Sequence, residues 1–278
     1  MPGSIPADCN QCGWKLETTE GVPVLLSNAD RSSPTFRDYS ANYDRIANDD
    51  LAASIQPPAY LALQAETLFS YLPHLTGRRV CELGIGQGLL FEKLFAARPA
   101  SLTGIDISLA YLRRHASQAG PGLSLALANA ENMPYADEFD VMIASEILEH
   151  VLNVGDLLIS LHRSLAQGGR LFVRVPYKED LRQYARQNGC PYPFVHLRSF
   201  TRSSLVDLLR HAGFRARRLR YDGHYGGSRR RLTSAMLLLT PRLLERLLED
   251  GVPRRNASSH LLGLLMRPIT LTGEFEKV

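Results

Sequence analysis

Lysine is almost missing from this chain: 4 lysines stand against 28 arginines in 278 residues. Arginine clusters therefore reflect a chain-wide preference before they signal a polyanion partner. Cysteine is scarce as well, with residues at 9, 12, 81 and 190, too few to frame a chain of this length with disulfides. Long apolar runs are absent too. The longest, such as residues 261–266, reach about six residues where a membrane span needs roughly 20. The first six residues carry neither a basic start nor an apolar segment, which argues against a secretory signal and for a cytoplasmic protein. No repeat or low-complexity tract is present.

What is present is a globular composition, 45% hydrophobic and 22% charged, which excludes disordered and fibrous classes. At roughly 150 residues per domain the length allows one large core with appendages. The net charge of +4 divides unevenly. Residues 201–278 hold 15 basic and 7 acidic side chains, the remainder 17 and 21.

Between residues 79 and 177 short apolar runs alternate with helical patterns, the signature of βαβ units and a parallel sheet covered on both faces. Five strands are expected near residues 80–83, 102–106, 124–128, 140–144 and 170–175, each continuously apolar as a buried parallel strand should be. Thr201 is a candidate N-cap for a helix ending at Gly213. Strand-like sequence follows at 214–221, then a glycine-rich break at 223–227, a Leu/Arg-rich segment at 243–248 and alternating residues at 269–278. The first 26 residues read as irregular, and 36–72 carry helical spacing. The fold class is α/β, a doubly wound sheet.

The most informative segment is Val80-Cys81-Glu82-Leu83-Gly84-Ile85-Gly86-Gln87-Gly88, which reads strand, tight turn, helix start. Glycines permit positive φ and let a ligand lie against the main chain, while the next helix points free N–H groups at it. Such a turn at a strand's carboxyl end is a nucleotide site, although glycine turns also serve packing alone. Leu89 stands where a dinucleotide fingerprint wants its last glycine. Glu82 would repel a pyrophosphate and attract an amino group or a sulfonium. Asp106, at the end of the second strand, can accept both hydroxyls of a ribose; capping the following helix is its plainer role. An adenosine with a cationic amino-acid tail fits both acids.

With these residues the chain resembles the class I S-adenosylmethionine-dependent methyltransferases, notably those with small-molecule substrates. The resemblance runs from about residue 79 to 175. It is carried by the glycine turn, Gly104-Ile105-Asp106-Ile107-Ser108, Asn129-Ala130-Glu131-Asn132-Met133-Pro134-Tyr135, Ser145-Glu146-Ile147-Leu148-Glu149-His150-Val151 and Leu165-Ala166-Gln167-Gly168-Gly169. It implies a mostly parallel seven-stranded Rossmann-like sheet with an N-terminal lid and C-terminal helical additions. The implied divisions are a half-ribbon-like segment at 1–35, a helical lid at 36–78, the cofactor-binding core at 79–222, and substrate-side helices with the last strand at 223–278.

The resemblance also implies roles. Gly84, Gly86 and Gly88 would pass under the methionine moiety, with Glu82 near its amino group. Asp106 would hold the ribose, Ile107 would pack on the adenine, and Asn129 and the Ala130 backbone would read its edge. Glu146 would sit beside the reacting methyl group. Asn129 stands where the family commonly has Asp, and it reads equally as a turn residue. His150 is the first candidate for a general base, against a packing or capping role; Glu146, Glu149 and His196 are alternatives. Tyr39 and Tyr43 either close over the cofactor or anchor an N-terminal helix.

The pair Cys9 and Cys12 resembles half of a zinc ribbon. With only two ligands where a structural zinc needs four, a metal-free remnant is favoured, and no metal site is assigned; a zinc shared by two chains, as in a homodimer, is the other reading. Arg215, Arg217, Arg218, Arg220 and Arg229 to Arg231 read as a solvated face rather than a nucleic-acid site, since no aromatic stripe accompanies them. Residues 237–248 form either an amphipathic helix in peripheral membrane contact or a cover for the substrate pocket. The expected activity is methyl transfer from S-adenosylmethionine to a small-molecule or glycan-type acceptor at oxygen. The alternatives are a quinone-like or lipidic acceptor and a catalytically silent partner-binding protein.

Overall fold

A computed structural model of the chain describes residues 15–225 and 267–278. Cys9 and Cys12, the arginines at 229–231 and the segment 237–248 lie outside the described residues. The strands are β1 (Glu17–Thr19), β2 (Val22–Val24), β3 (Arg79–Leu83), β4 (Ser101–Asp106), β5 (Leu123–Leu127), β6 (Phe139–Ser145), β7 (Leu165–Pro176), β8 (Phe214–Tyr225) and β9 (Arg267–Lys277). The α-helices are α1 (Asn28–Ser32), α2 (Pro34–Ala52), α3 (Pro58–Phe69), α4 (Leu89–Ala96), α5 (Leu109–Leu112), α6 (Val154–Ser164) and α7 (Arg202–His211).

All nine strands join one sheet in the order β1-β2-β5-β4-β3-β6-β7-β9-β8. From β2 to β7 the pairings are parallel. β9 runs antiparallel to both β7 and β8. The strands expected from the sequence are all present, and the seven-stranded sheet is extended by one hairpin that the sequence left irregular. Glu20 and Gly21, both at positive φ, reverse the chain between β1 and β2. Val22 and Val24 are then buried, and Val24 pairs with Leu127 at the open edge of β5.

Side chains alternate between two cores, as a two-sided parallel sheet requires. Cys81, Leu83, Met142, Leu171 and Val173 face the core built with α6 and α7. Val80, Val141, Ile143 and Phe172 face the one built with α3 and α4. Helix ends follow local chemistry: the Asn153 side chain accepts from Gly155 and Asp156 N–H at the start of α6. Thr201 caps α7 in a reciprocal box with Ser204, as its residue type suggests.

The arginines of β8 are engaged within the sheet. Arg215 and Arg217 pair with Glu276, and Arg218 pairs with Glu274. The Arg218 and Arg220 guanidinium carbons lie 4.0 and 4.2 Å from the Tyr71 ring centre. Among the described residues no helix is long and apolar enough to cross a membrane.

Candidate active site

The carboxyl ends of β3 to β7 open onto one cavity of about 590 Å³. It lies where strand order reverses on either side of β3, the place where a doubly wound sheet opens a ligand crevice. After β3 the chain turns through Gly84, Gly86 and Gly88, with φ of 66°, 51° and 83°. A Cβ on Gly84 would overlap Ile147, and one on Gly88 would overlap the His115 ring. A Cβ on Gly86 would meet no protein atom within 4 Å. Packing requires the first and third glycines, while the second leaves its space to the cavity.

Two acids stand beside this turn. Asp106 is 7% exposed and accepts hydrogen bonds from Gly86 N–H at 3.1 Å and Ser108 N–H at 2.9 Å. Burial pushes its carboxyl up to about 6, against the lowering effect of those N–H groups. Glu82 is buried, and one of its oxygens has no hydrogen-bond partner. Burial first, and the neighbouring Asp106 second, push its carboxyl well above the ordinary range. Ile107 and Ala130 line the same cavity.

Asn129 reaches the cavity wall, but its polar atoms are engaged locally. Its oxygen accepts from Glu131 N–H at 3.0 Å, and its amide donates to Asp30 at 2.8 Å. The turn role is therefore realised through Glu131, and Asp30, 99 residues away, holds the amide.

The opposite wall follows β6. Glu146 has a φ of 56°, a strained conformation for a residue with a side chain. Its carboxylate lies 3.5 Å from Nε of Arg174, which is 3% exposed. Burial raises the Glu146 carboxyl, and Arg174 opposes the rise. Glu149 is fully buried, with neither carboxylate oxygen hydrogen-bonded; burial, then Glu146, hold its carboxyl well above the ordinary range. His150 points Nδ1 at the Val195 carbonyl, an acceptor only, so Nδ1 carries the proton and Nε2 the lone pair. Burial, then His196, lower its pKa to about 3. With His150 neutral, the 3.8 Å approach of its Nε2 to Glu149 is a contact rather than an ion pair.

His196 arrives from the loop after β7. Its Nδ1 bonds the Glu179 carboxylate, which also accepts from Tyr184 hydroxyl at 2.5 Å. Its ring centre lies 4.5 Å from that of His150. The loop is fastened to the turn after β6. Leu197 N–H donates to the Glu149 carbonyl at 2.8 Å, and Arg198 donates to the Leu148 and Val151 carbonyls at 2.6 Å each. Arg174, Glu179, Tyr184 and Arg198 escaped the sequence reading, because nothing local to them marks a site.

α2 covers the mouth. Tyr39 and Tyr43 line the cavity with ring centres 4.8 Å apart, and Tyr43 hydroxyl donates to the Phe194 carbonyl at 2.9 Å. Asp44 accepts from Ser108 hydroxyl at 2.7 Å, and Asp50 accepts from Gln87 and Tyr111, both at 2.9 Å. The anchoring role of the tyrosines is thus seen in α2, which also brings both rings to the cavity.

These residues suit S-adenosylmethionine. The unpartnered Glu82 oxygen wants a donor such as an ammonium, Asp106 retains acceptor capacity for hydroxyls, and Gly86 leaves a cradle that a Cβ would fill. The volume falls in the ordinary range for small-molecule pockets, roughly 300–1,000 Å³.

Comparison with known proteins agrees. A stretch of 104 residues is 36% identical to the ubiquinone biosynthesis O-methyltransferase of Pseudomonas aeruginosa, covering 36% of this chain and 44% of that protein. The chain thus spans less than half the length of the curated relative. In fold it is similar to an S-adenosylmethionine-dependent methyltransferase from Mesorhizobium loti, with a TM-score of 0.53 and 19% identity over 77% of this chain and 98% of that one. It is similar also to the Burkholderia thailandensis 1,6-didemethyltoxoflavin-N1-methyltransferase, with a TM-score of 0.56 and 16% identity over 89% and 91%. The sequence profile described as "Methyltransferase domain" matches residues 49–219. Because that match spans more than half of the chain, the protein belongs to the methyltransferase domain family.

Proposed function

We propose that this enzyme methylates a hydroxyl oxygen of a small molecule, and that the acceptor is a phenol of quinone-like type. The observation that carries this reading is a cavity with the acids of the glycine turn on one wall and a His/Glu cluster on the other. Tyr39, Tyr43, Tyr60 and Tyr184 line it, which favours a flat aromatic ring over a polyhydroxylated glycan. The 36% identity to an enzyme named for ubiquinone biosynthesis supports the same class.

Glu82 would hold the amino group of the cofactor, the backbone at Gly84, Gly86 and Gly88 would pass under its methionine, and Asp106 would hold its ribose. Ile107 would pack on the adenine, whose edge the Ala130 backbone would read while Asn129 fixes the loop. Glu146 would stand on the methyl-group side of the cavity. When bound, S-adenosylmethionine supplies a methyl carbon that bonds to an acceptor oxygen lone pair as the C–S electron pair returns to sulfur. The chain itself aligns the acceptor and excludes water, with α2 as the lid.

His150 stands on the wall where a general base would act. A pKa near 3 leaves it deprotonated at neutral pH but a weak base, so this wall orients the hydroxyl more than it takes the proton. A phenol, more acidic than a sugar hydroxyl, asks least of it.

The test is incubation with methyl-labelled S-adenosylmethionine and either a catechol or a methyl hexopyranoside. Label in a methoxy group on the catechol is expected; label on the sugar alone, or on neither, would overturn the acceptor class.

A further inference from the structure

We propose that Glu149, His150 and His196 form a binding site for one divalent transition-metal ion. One ligand atom from each lies within 4.8 Å of the other two. Ligands bound at about 2.0–2.2 Å from a common centre are at most about 4.4 Å apart, so sub-ångström shifts close the site.

The second observation is independent of that clustering. Glu149 is 0% exposed, and neither of its carboxylate oxygens meets any donor. Buried polar groups are nearly always satisfied. Arg198, the nearby cation, gives its bonds to the Leu148, Val151 and Leu152 carbonyls instead. A cation shared with two imidazoles supplies what this carboxylate lacks.

Both histidines are prepared as ligands. His150 donates Nδ1–H to the Val195 carbonyl, and His196 Nδ1 bonds the Glu179 carboxylate. Each ring therefore turns an Nε2 lone pair away from its support, the arrangement in which an outer partner fixes tautomer and orientation of a ligating histidine. Tyr184 in turn holds Glu179. The bond from Leu197 N–H to the Glu149 carbonyl keeps the two ligand-bearing segments in register. Two imidazoles with one carboxylate suit Mn²⁺, Fe²⁺, Co²⁺ or Zn²⁺ better than Mg²⁺ or Ca²⁺, which prefer all-oxygen shells.

The metal site stands on its own geometry, whereas its role rests on the acceptor reading above. His150 and His196 line the reaction cavity, so an ion there takes the acceptor oxygen as a further ligand. Coordination orients that oxygen and makes its O–H more acidic, the proton passing to solvent.

The test is titration of Mn²⁺ into the purified full chain, followed by loss of the free-ion electron paramagnetic resonance signal. One Mn²⁺ per chain is expected, with affinity reduced at least tenfold by His196→Ala and by Glu149→Gln. Glu179→Gln should weaken binding roughly tenfold, and joint Cys9→Ser and Cys12→Ser replacement should leave it unchanged. S-adenosylhomocysteine binding by each variant verifies that it folds. No stoichiometric Mn²⁺ binding by the natural chain, or undiminished binding by both His196→Ala and Glu149→Gln, overturns the site. Equal methyl transfer before and after the ion is stripped overturns its role. Absence of methyl transfer with Mn²⁺ bound counts instead against the acceptor class.

Discussion

Asp106 is held between the Gly86 and Ser108 N–H groups yet keeps a pKa of about 6, because burial outweighs those donors. Ribose hydroxyls and a nearby sulfonium favour its ionised form. Cofactor binding must then drive a proton off wherever the free enzyme is still protonated. As pH falls through about 6, affinity should weaken and proton release on binding should grow. Calorimetry in two buffers of different ionisation enthalpy should find more protons released at pH 6 than at pH 8, with Asp106→Asn abolishing the difference. Equal release at both pH values would refute this role. Glu82 was legible in the sequence because it stands two residues before Gly84 in one strand, and Asp106 because it ends the next strand, which pairs with the first. Asn129 was legible as a turn residue, the role its oxygen plays with Glu131, whereas its partner Asp30 was not, since it belongs to a distant segment.

At the scale of elements, the turn between β3 and α4 separates folding from binding within five residues. Gly86→Ala and Gly88→Ala each place a side chain at positive φ, which costs about 1–2 kcal/mol. Only the second also drives a Cβ into a buried ring, that of His115. Urea unfolding should show Gly88→Ala roughly 1–3 kcal/mol less stable than Gly86→Ala. Cofactor affinity should show the reverse bias, with folded Gly86→Ala binding at least tenfold more weakly than the natural chain. Equal stability of the two would mean that His115 yields. The strands and α7 were legible from apolar runs and capping residues. His196 was legible as an alternative base on the loop after β7, but its support by Glu179 was not, because it depends on a loop fastened through Arg198 and Leu197, and such long-range fastening has no local signature.

At the scale of the whole molecule, the last strand is an inner one. β9 lies between β7 and β8, with Leu271 and Phe275 fully buried. Its acids Glu274 and Glu276 answer the arginines of β8. A chain ending at residue 266 would leave β8 without its sheet neighbour. It should lack a cooperative unfolding transition by circular dichroism; a cooperative transition in that chain would show that the first 266 residues suffice. The uneven charge seen in the sequence thus becomes, at β8 and β9, an internal match of arginine with glutamate. The hairpin of β1 and β2 was illegible for the opposite reason, being two three-residue strands whose stability comes from an edge that β5 supplies.

The cofactor site is tested most directly by titration calorimetry with S-adenosylhomocysteine on the natural chain and on Asp106→Ala. One molecule should bind per natural chain. The variant should bind roughly tenfold or more weakly, the loss expected for charge-assisted hydrogen bonds of about 1.5–3 kcal/mol, with its unfolding transition retained. No binding by the natural chain, or equal affinity in the variant, would contradict the placement of the cofactor in this cavity.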